Sequence, residues 1–195
     1  MNRFRYGILG LVLFLLAGCH SEKSEVVDFL KELEASNQRL EVVSRDYQEV
    51  VSTVSEESLT GKVDKEAAKK KLHQIAVLMG QEIKRVEGLQ VPEKAQGLQG
   101  AVLDQYRVLV ETVESTGPLV DILSRLSEAN RLAAEDPGVA AKITQEMKKV
   151  EAERAEIARR LDDLMEKGRQ DEETARQEQQ KLQKEFGIAV KMEKR

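Results

Sequence analysis

The chain has no tryptophan, three prolines, two histidines and one cysteine in 195 residues. Each scarcity closes a route. A lone cysteine cannot form an intrachain disulfide, so the fold must rest on packing. So few histidines and cysteines cannot supply the closed ligand sets of structural zinc. The paired Glu-x-x-His motifs that a di-iron bundle needs are missing. Beyond the first twenty residues the only aromatic residues are Phe29, Tyr47, Tyr106 and Phe186, thin material for stacking on sugars or bases. There is no phosphate-cradling glycine loop and no Gly-x-Ser-x-Gly elbow. A formal charge of −4 disfavours nucleic acid as a partner. No useful length of sequence alternates with period two, so no strand signal competes.

What remains is rich in leucine, valine, alanine, glutamate and lysine, a composition that favours long helices. In the first helical pattern, Val26, Leu30, Leu33, Leu40, Tyr47, Val51 and Val54 recur in steps of three and four. Phe29, Val43 and Val50 widen that stripe, which suits a bundle better than a two-stranded seam. Ser24 reads as its N-cap and Thr60-Gly61 as its end. Asn37 and Ser44 fall in the same register, as polar pins or as stripe edges. A second helix starts at Asp64, carries Ala68, Leu72, Ile75, Met79, Ile83 and Val86 on one face, and stops at Gly88. Pro92 suits the opening turn of a third helix with the stripe Ala95, Leu98, Val102, Tyr106, Leu109 and Val113. Gly117-Pro118 either kinks that helix or splits it. The apolar spacing resumes at once with Leu119, Ile122, Leu126 and Ala133.

Asp136-Pro137 reads as the start of the last helix. Its inward residues are Val139, Ile143, Met147, Val150, Ile157, Leu161 and Leu164. After Gly168 the stripe fades, and Ala175 is the only apolar residue from Arg169 to Lys181. Leu182, Phe186, Ala189 and Val190 restore a weak stripe before Lys191, Lys194 and Arg195. The expected fold is all-α: an antiparallel four-helix bundle over residues 24–168, its third helix kinked or split near Pro118, with a long polar extension of the last helix. Residues 169–195 form that polar arm and a basic tail, either projecting into solvent or frayed.

The amino end has a different character. Arg3 and Arg5 precede an apolar run from Ile8 to Ala17, then Leu16-Ala17-Gly18-Cys19. A positive start, a short greasy middle and small residues at a cut site form a secretory signal. The run is too short to span a bilayer, which takes about 20 apolar residues. Leucine, two small residues and cysteine resemble the lipobox of bacterial lipoproteins. The resemblance implies a signal peptide over residues 1–18, cleavage between Gly18 and Cys19, and diacylglycerol on the Cys19 thiol. Residues 19–23 would then be a lipidated tether, and membrane attachment would come from acyl chains that each contribute about 0.8 kcal/mol per buried methylene. Cleavage would remove Arg3 and Arg5 and no acidic residue, taking the formal charge from −4 to −6. His20 stands where enteric lipoproteins kept in the inner membrane have aspartate, so the resemblance points to the outer membrane in a Gram-negative host. The helical murein lipoprotein shares the anchor, helical body and basic end. It attaches covalently through a terminal lysine, and this sequence ends in Arg195.

No catalytic, cofactor or metal residue is expected. His73 could act as a general base, but no nucleophile is placed beside it, and it reads as a helix-boundary residue. Lys69-Lys70-Lys71 reads as a solvated helix face near Asp64 and Glu66. Gly97 and Gly100 read as points of close helix contact. The expected function is a non-enzymatic envelope lipoprotein that docks or spaces a protein partner, with Arg169 to Glu185 as the candidate interaction segment. The alternative is a periplasmic ligand-binding or sensory bundle with a pocket near Met79 and Tyr106. The anchor is directly testable: Cys19→Ser is expected to abolish labelling by a palmitate analogue and to release the protein from the membrane fraction.

Overall fold

The structure, a computed structural model, describes the backbone of residues 4–60, 63–135 and 140–188. Side chains are described from residue 22 onward within those stretches, apart from 140–142 and 144–146. Asp136-Pro137, Val139, Ala189, Val190 and the basic tail residues lie outside the described part. All regular structure among the described residues is helical. Four α-helices follow in order: α1 (Phe4–Thr60), α2 (Lys65–Glu87), α3 (Gln96–Glu135) and α4 (Ala140–Phe186), with a 3-10 turn at Glu93–Ala95.

Cross-helix pairs fix the directions. Ser36 and Glu49 of α1 face Glu82 and Lys71 of α2, an antiparallel register. Lys69 and Glu87 of α2 meet Asp121 and Arg107 of α3, again antiparallel. Tyr106–Asn37 and Tyr47–Thr116 are both 69 residues apart, so α1 and α3 run parallel. Glu111–Arg160 and Arg125–Glu153 set α4 antiparallel to α3. The fold is thus an up-down-up-down helical bundle, as short connections between amphipathic helices require.

Local chemistry explains most boundaries. Asp64 caps α2: its Oδ1 accepts the Ala67 N–H at 3.0 Å, and its own N–H donates to Glu57 at 3.0 Å. Gly88 ends α2 with a helical φ of −83°, its N–H bonded back to the Lys84 and Arg85 carbonyls. Pro92, at φ −56° and ψ 142°, opens the 3-10 turn, and the α-helix proper begins four residues later at Gln96. Ser24 does not cap α1. The helix runs unbroken from Phe4 past it, because no proline interrupts the apolar leader or its junction.

Pro118 does not split α3, which continues as one helix of 40 residues. Proline cannot donate to the Glu114 carbonyl. Both residues are exposed, so water can reach that carbonyl. The hydroxyls of Thr112 and Thr116 bond to the carbonyls of Val108 and Thr112 in the preceding turns.

The expected stripes form one core. Phe29, Leu33, Leu40, Val43, Val50 and Val54 of α1 meet Leu72, Ile75, Met79 and Val86 of α2 and Leu98, Val102, Tyr106, Val113 and Val120 of α3. Leu30, Tyr47, Ile83 and Leu109 sit at its margin. On the opposite side of α3, Val108 and Ile122 are buried, as are Val150 and Leu164 of α4.

The polar extension of α4 is helical to Phe186, but it does not project as a solvated arm. Ala175 and Leu182 are buried within the main core, Leu182 at 1% exposure, and Phe186 packs against it. Two apolar residues seven apart keep one face on the bundle while the polar residues between them stay outside. The helix ends at Phe186 because Gly187 takes a left-handed φ of 58°, and the Ile188 N–H reaches back to the Gln183 carbonyl at 2.9 Å. Leu182→Ala is therefore expected to cost about 2–5 kcal/mol in urea denaturation, the range for a buried leucine. A change below about 0.5 kcal/mol, typical of exposed positions, would mean that this segment is undocked.

Candidate functional site

The side chain of Cys19, the predicted lipidation residue, lies outside the described part. His73 is exposed on α2. Lys69 and Lys71 pair with Asp121 of α3 and Glu49 of α1, at 2.9 and 3.8 Å, so the lysine run is a solvated face that bridges its neighbours. The hydrogen bond to Asp121 raises the Lys69 pKa. Gly97 is a close-contact position: a Cβ there would come within 2.9 Å of the Glu178 carboxylate of α4. Gly100 has open space and no such role. Met79 and Tyr106, near which a ligand pocket was anticipated, are core residues at 2% exposure. Among the described residues, no group of three His, Cys, Asp or Glu side chains could hold a metal ion. No described helix is long and apolar enough to cross a membrane.

A polar network crosses the core. Glu82 of α2 is only 7% exposed. It accepts hydrogen bonds from Ser36 Oγ at 3.1 Å and from Arg39 Nε at 3.0 Å to each oxygen. Arg85 adds a contact at 3.2 Å. The Tyr106 hydroxyl from α3 donates to Asn37 Oδ1 at 2.6 Å and lies 3.3 Å from Ser36 Oγ. Three helices thus meet through one carboxylate and one phenol. A carboxylate at this depth is tolerable only because several donors surround it. The terminal Nη2 of Arg39 is buried without a partner among the described residues, a local cost of the arrangement. Asn37, whose register left it as either a polar pin or a stripe edge, is an exposed residue that accepts the Tyr106 hydrogen bond. Glu82 was missed, although its place between Met79 and Val86 on the stripe was a readable signal.

The two ends of the bundle differ. At one end α1, the 3-10 turn and α4 converge. Lys94 Nζ lies 2.6 Å from Glu185 and 3.8 Å from Glu22, and 5.2 Å above the Phe186 ring. Lys23 Nζ reaches the Gly187 carbonyl at 3.5 Å. The end of α4 therefore sits a few residues from Cys19. At the other end, beyond the first turn of α2, an apolar groove of about 410 Å³ opens between α3 and α4. Leu126, Ala129 and Leu132 form one wall, and Ile143, Met147 and Val150 the other. The rim carries Arg125, paired with Glu153, and Glu128, paired with Arg131. Arg131 holds the Glu128 carboxyl below its ordinary pKa. At 1.5 Å per residue, the groove stands about 50 Å along α3 from the Lys94 end.

Elsewhere on α4, Arg169 and then Gln170 hold the exposed Glu166 carboxyl at a pKa of about 2. Such pairs on a wet helix face support the helix weakly. No protein-family model, curated protein sequence or solved structure matches the chain.

Burial raises the Tyr106 pKa above its ordinary value. An unfolded tyrosine then ionises at lower pH than the folded one. The stabilisation is complete below the unfolded value and is lost as pH rises through the folded one. Tyr106→Phe is expected to cost about 1 kcal/mol at neutral pH through the lost hydrogen bonds. The gap between wild type and variant should narrow as denaturation is followed from pH about 9 to about 11; a constant gap would contradict it.

Proposed function

We propose that this chain is a non-enzymatic lipoprotein of the cell envelope, a helical spacer that holds a docking surface for a protein partner away from the membrane. In this reading Cys19 carries the lipid and residues 1–18 are removed. A Gram-negative host would place the protein in the outer membrane, facing the periplasm.

The observation that carries the reading is polarity of layout. The residues that follow Cys19 lie at one end of the bundle, clamped by Lys94. The apolar groove of α3 and α4 lies at the other. Its walls repeat apolar residues at helical spacing, the pattern that receives an amphipathic helix. An exposed apolar patch at such a site marks an interaction surface more often than an accident. The earlier candidate segment, Arg169 to Glu185, fits less well, since Ala175 and Leu182 are committed to the core. Its removal would damage the fold and could not isolate a docking defect. Met79 and Tyr106 are members of the buried apolar cluster, which supports docking over the alternative of an internal ligand.

A photo-crosslinking residue in place of Leu132, in the full chain in native membranes, is expected to yield a discrete protein adduct. The same residue in place of the exposed Glu56 should not. Met147→Glu should abolish the Leu132 adduct while leaving the melting temperature within a few degrees. An adduct of equal yield in that variant would remove the groove from the proposal.

A further inference from the structure

We infer that the α3–α4 tip pairs with the same tip of a second copy of this chain, antiparallel about a two-fold axis level with Ala129 and Met147. The inference rests on the reading of the α3–α4 groove as a docking surface and names its occupant. It does not depend on lipidation of Cys19.

The groove matches itself when turned end for end. On α3 its apolar residues are Leu126, Ala129 and Leu132, with the small one in the middle. On α4 they are Ile143, Met147 and Val150, with the methionine in the middle. The two centres share one level. Arg125 is paired with Glu153 across the helices, and α4 descends as α3 rises. Ala129 therefore stands within about 3 Å of the level of Met147. Rotation about that level lays Leu126 on Leu132 of the second copy, and Ile143 on its Val150. Ala129 then faces its own copy, where a small side chain lets two helices approach closely. Such self-matching is what an isologous two-fold interface requires. Leu132 is 41% exposed in the single chain, and the pairing would cover it.

The charges follow the same rule. Beside the apolar row of α3 run Arg125, Glu128, Arg131 and Glu135, at steps of three, three and four. All four are exposed, and their signs alternate. Reversed, the row becomes its own complement. In an antiparallel helix pair each flanking row faces its own copy, so Arg125 meets Glu135 and Glu128 meets Arg131. A parallel pair brings different flanks together and leaves this order unused. Within one chain Arg131 already bonds Glu128 and Glu135 at 2.7–3.0 Å. Each carboxylate oxygen can accept a further bond, so the pairing extends this network without breaking it.

Disulfide trapping in the full chain, in a Cys19→Ser background and in detergent micelles, tests the pairing and its direction. Leu126, Ala129 and Leu132 lie outside the main core, so a cysteine at any of them spares the fold. Ala129→Cys is expected to form a covalent dimer about tenfold faster than Asp163→Cys, an exposed control lower on α4, as a raised local concentration requires. Leu126→Cys and Leu132→Cys should each dimerise slowly alone and quickly when the two variants are mixed. Equal rates for Ala129→Cys and the control would overturn the inference. So would fast closure of Leu126→Cys and of Leu132→Cys each alone, the signature of a parallel pair. If Ala129→Cys is no faster than the control while the photo-adduct at Leu132 has the mass of a different protein, self-pairing fails and the docking groove stands. If no photo-adduct forms either, the docking reading fails with it.

Discussion

The whole structure depends on α3 being buried on two opposite sides. One side presents Val102, Tyr106 and Val113 to α1 and α2, and the other presents Val108 and Ile122 toward α4. A helix used in this way cannot be broken in the middle without separating the two packing layers. That constraint explains why Pro118 sits where it does. It occupies the exposed edge between the two faces, where a missing donor is least costly, and the helix runs on. Beside it, Tyr47 of α1 bonds to the buried Thr116 at 2.8 Å and locks the register two residues from the proline.

The Glu82 network complements the apolar packing. Leucine and valine stripes can slide by a turn with modest loss, because the hydrophobic effect is non-directional. A carboxylate that needs Ser36 and Arg39 at about 3 Å cannot slide. Tyr106 ties the third helix to the same point through Asn37. A shift of one turn would leave a buried charge without donors, at a cost of several kcal/mol. The polar residues thus set the relative height of α1, α2 and α3, while the apolar ones hold them together.

The helices themselves were legible because period and punctuation agreed. Asp64, Gly88 and the stripe through Met79 each mark a place where the backbone obeys local rules. Three features were not legible. Ser24 is a good cap by type, yet nothing upstream stops the helix, so it is interior. The stretch after Gly168 looks solvated because Ala175 and Leu182 are too sparse to read as a stripe. They suffice only because α1 and α3 already form the surface they dock on. Tertiary context of that kind has no local signature. The α3–α4 groove was half visible, since Leu126, Ile143, Met147 and Val150 were assigned to apolar stripes while Ala129 and Leu132 were not. The structure shows that Leu126, Ile143, Met147 and Val150 line an open groove between the two helices.

The parallel run of α1 and α3 has a mechanical consequence. Tension applied between Glu22, at the foot of α1, and Leu132, near the tip of α3, would act along the two axes rather than across them. Load would then be shared by the interface from Phe29 to Val120 in shear, with many side chains resisting together. Tension between Lys23 and Ile188, which sit side by side, would instead peel α4 from the bundle one turn at a time, starting at Leu182. The same molecule is therefore stiff along its length and easily unzipped from its foot.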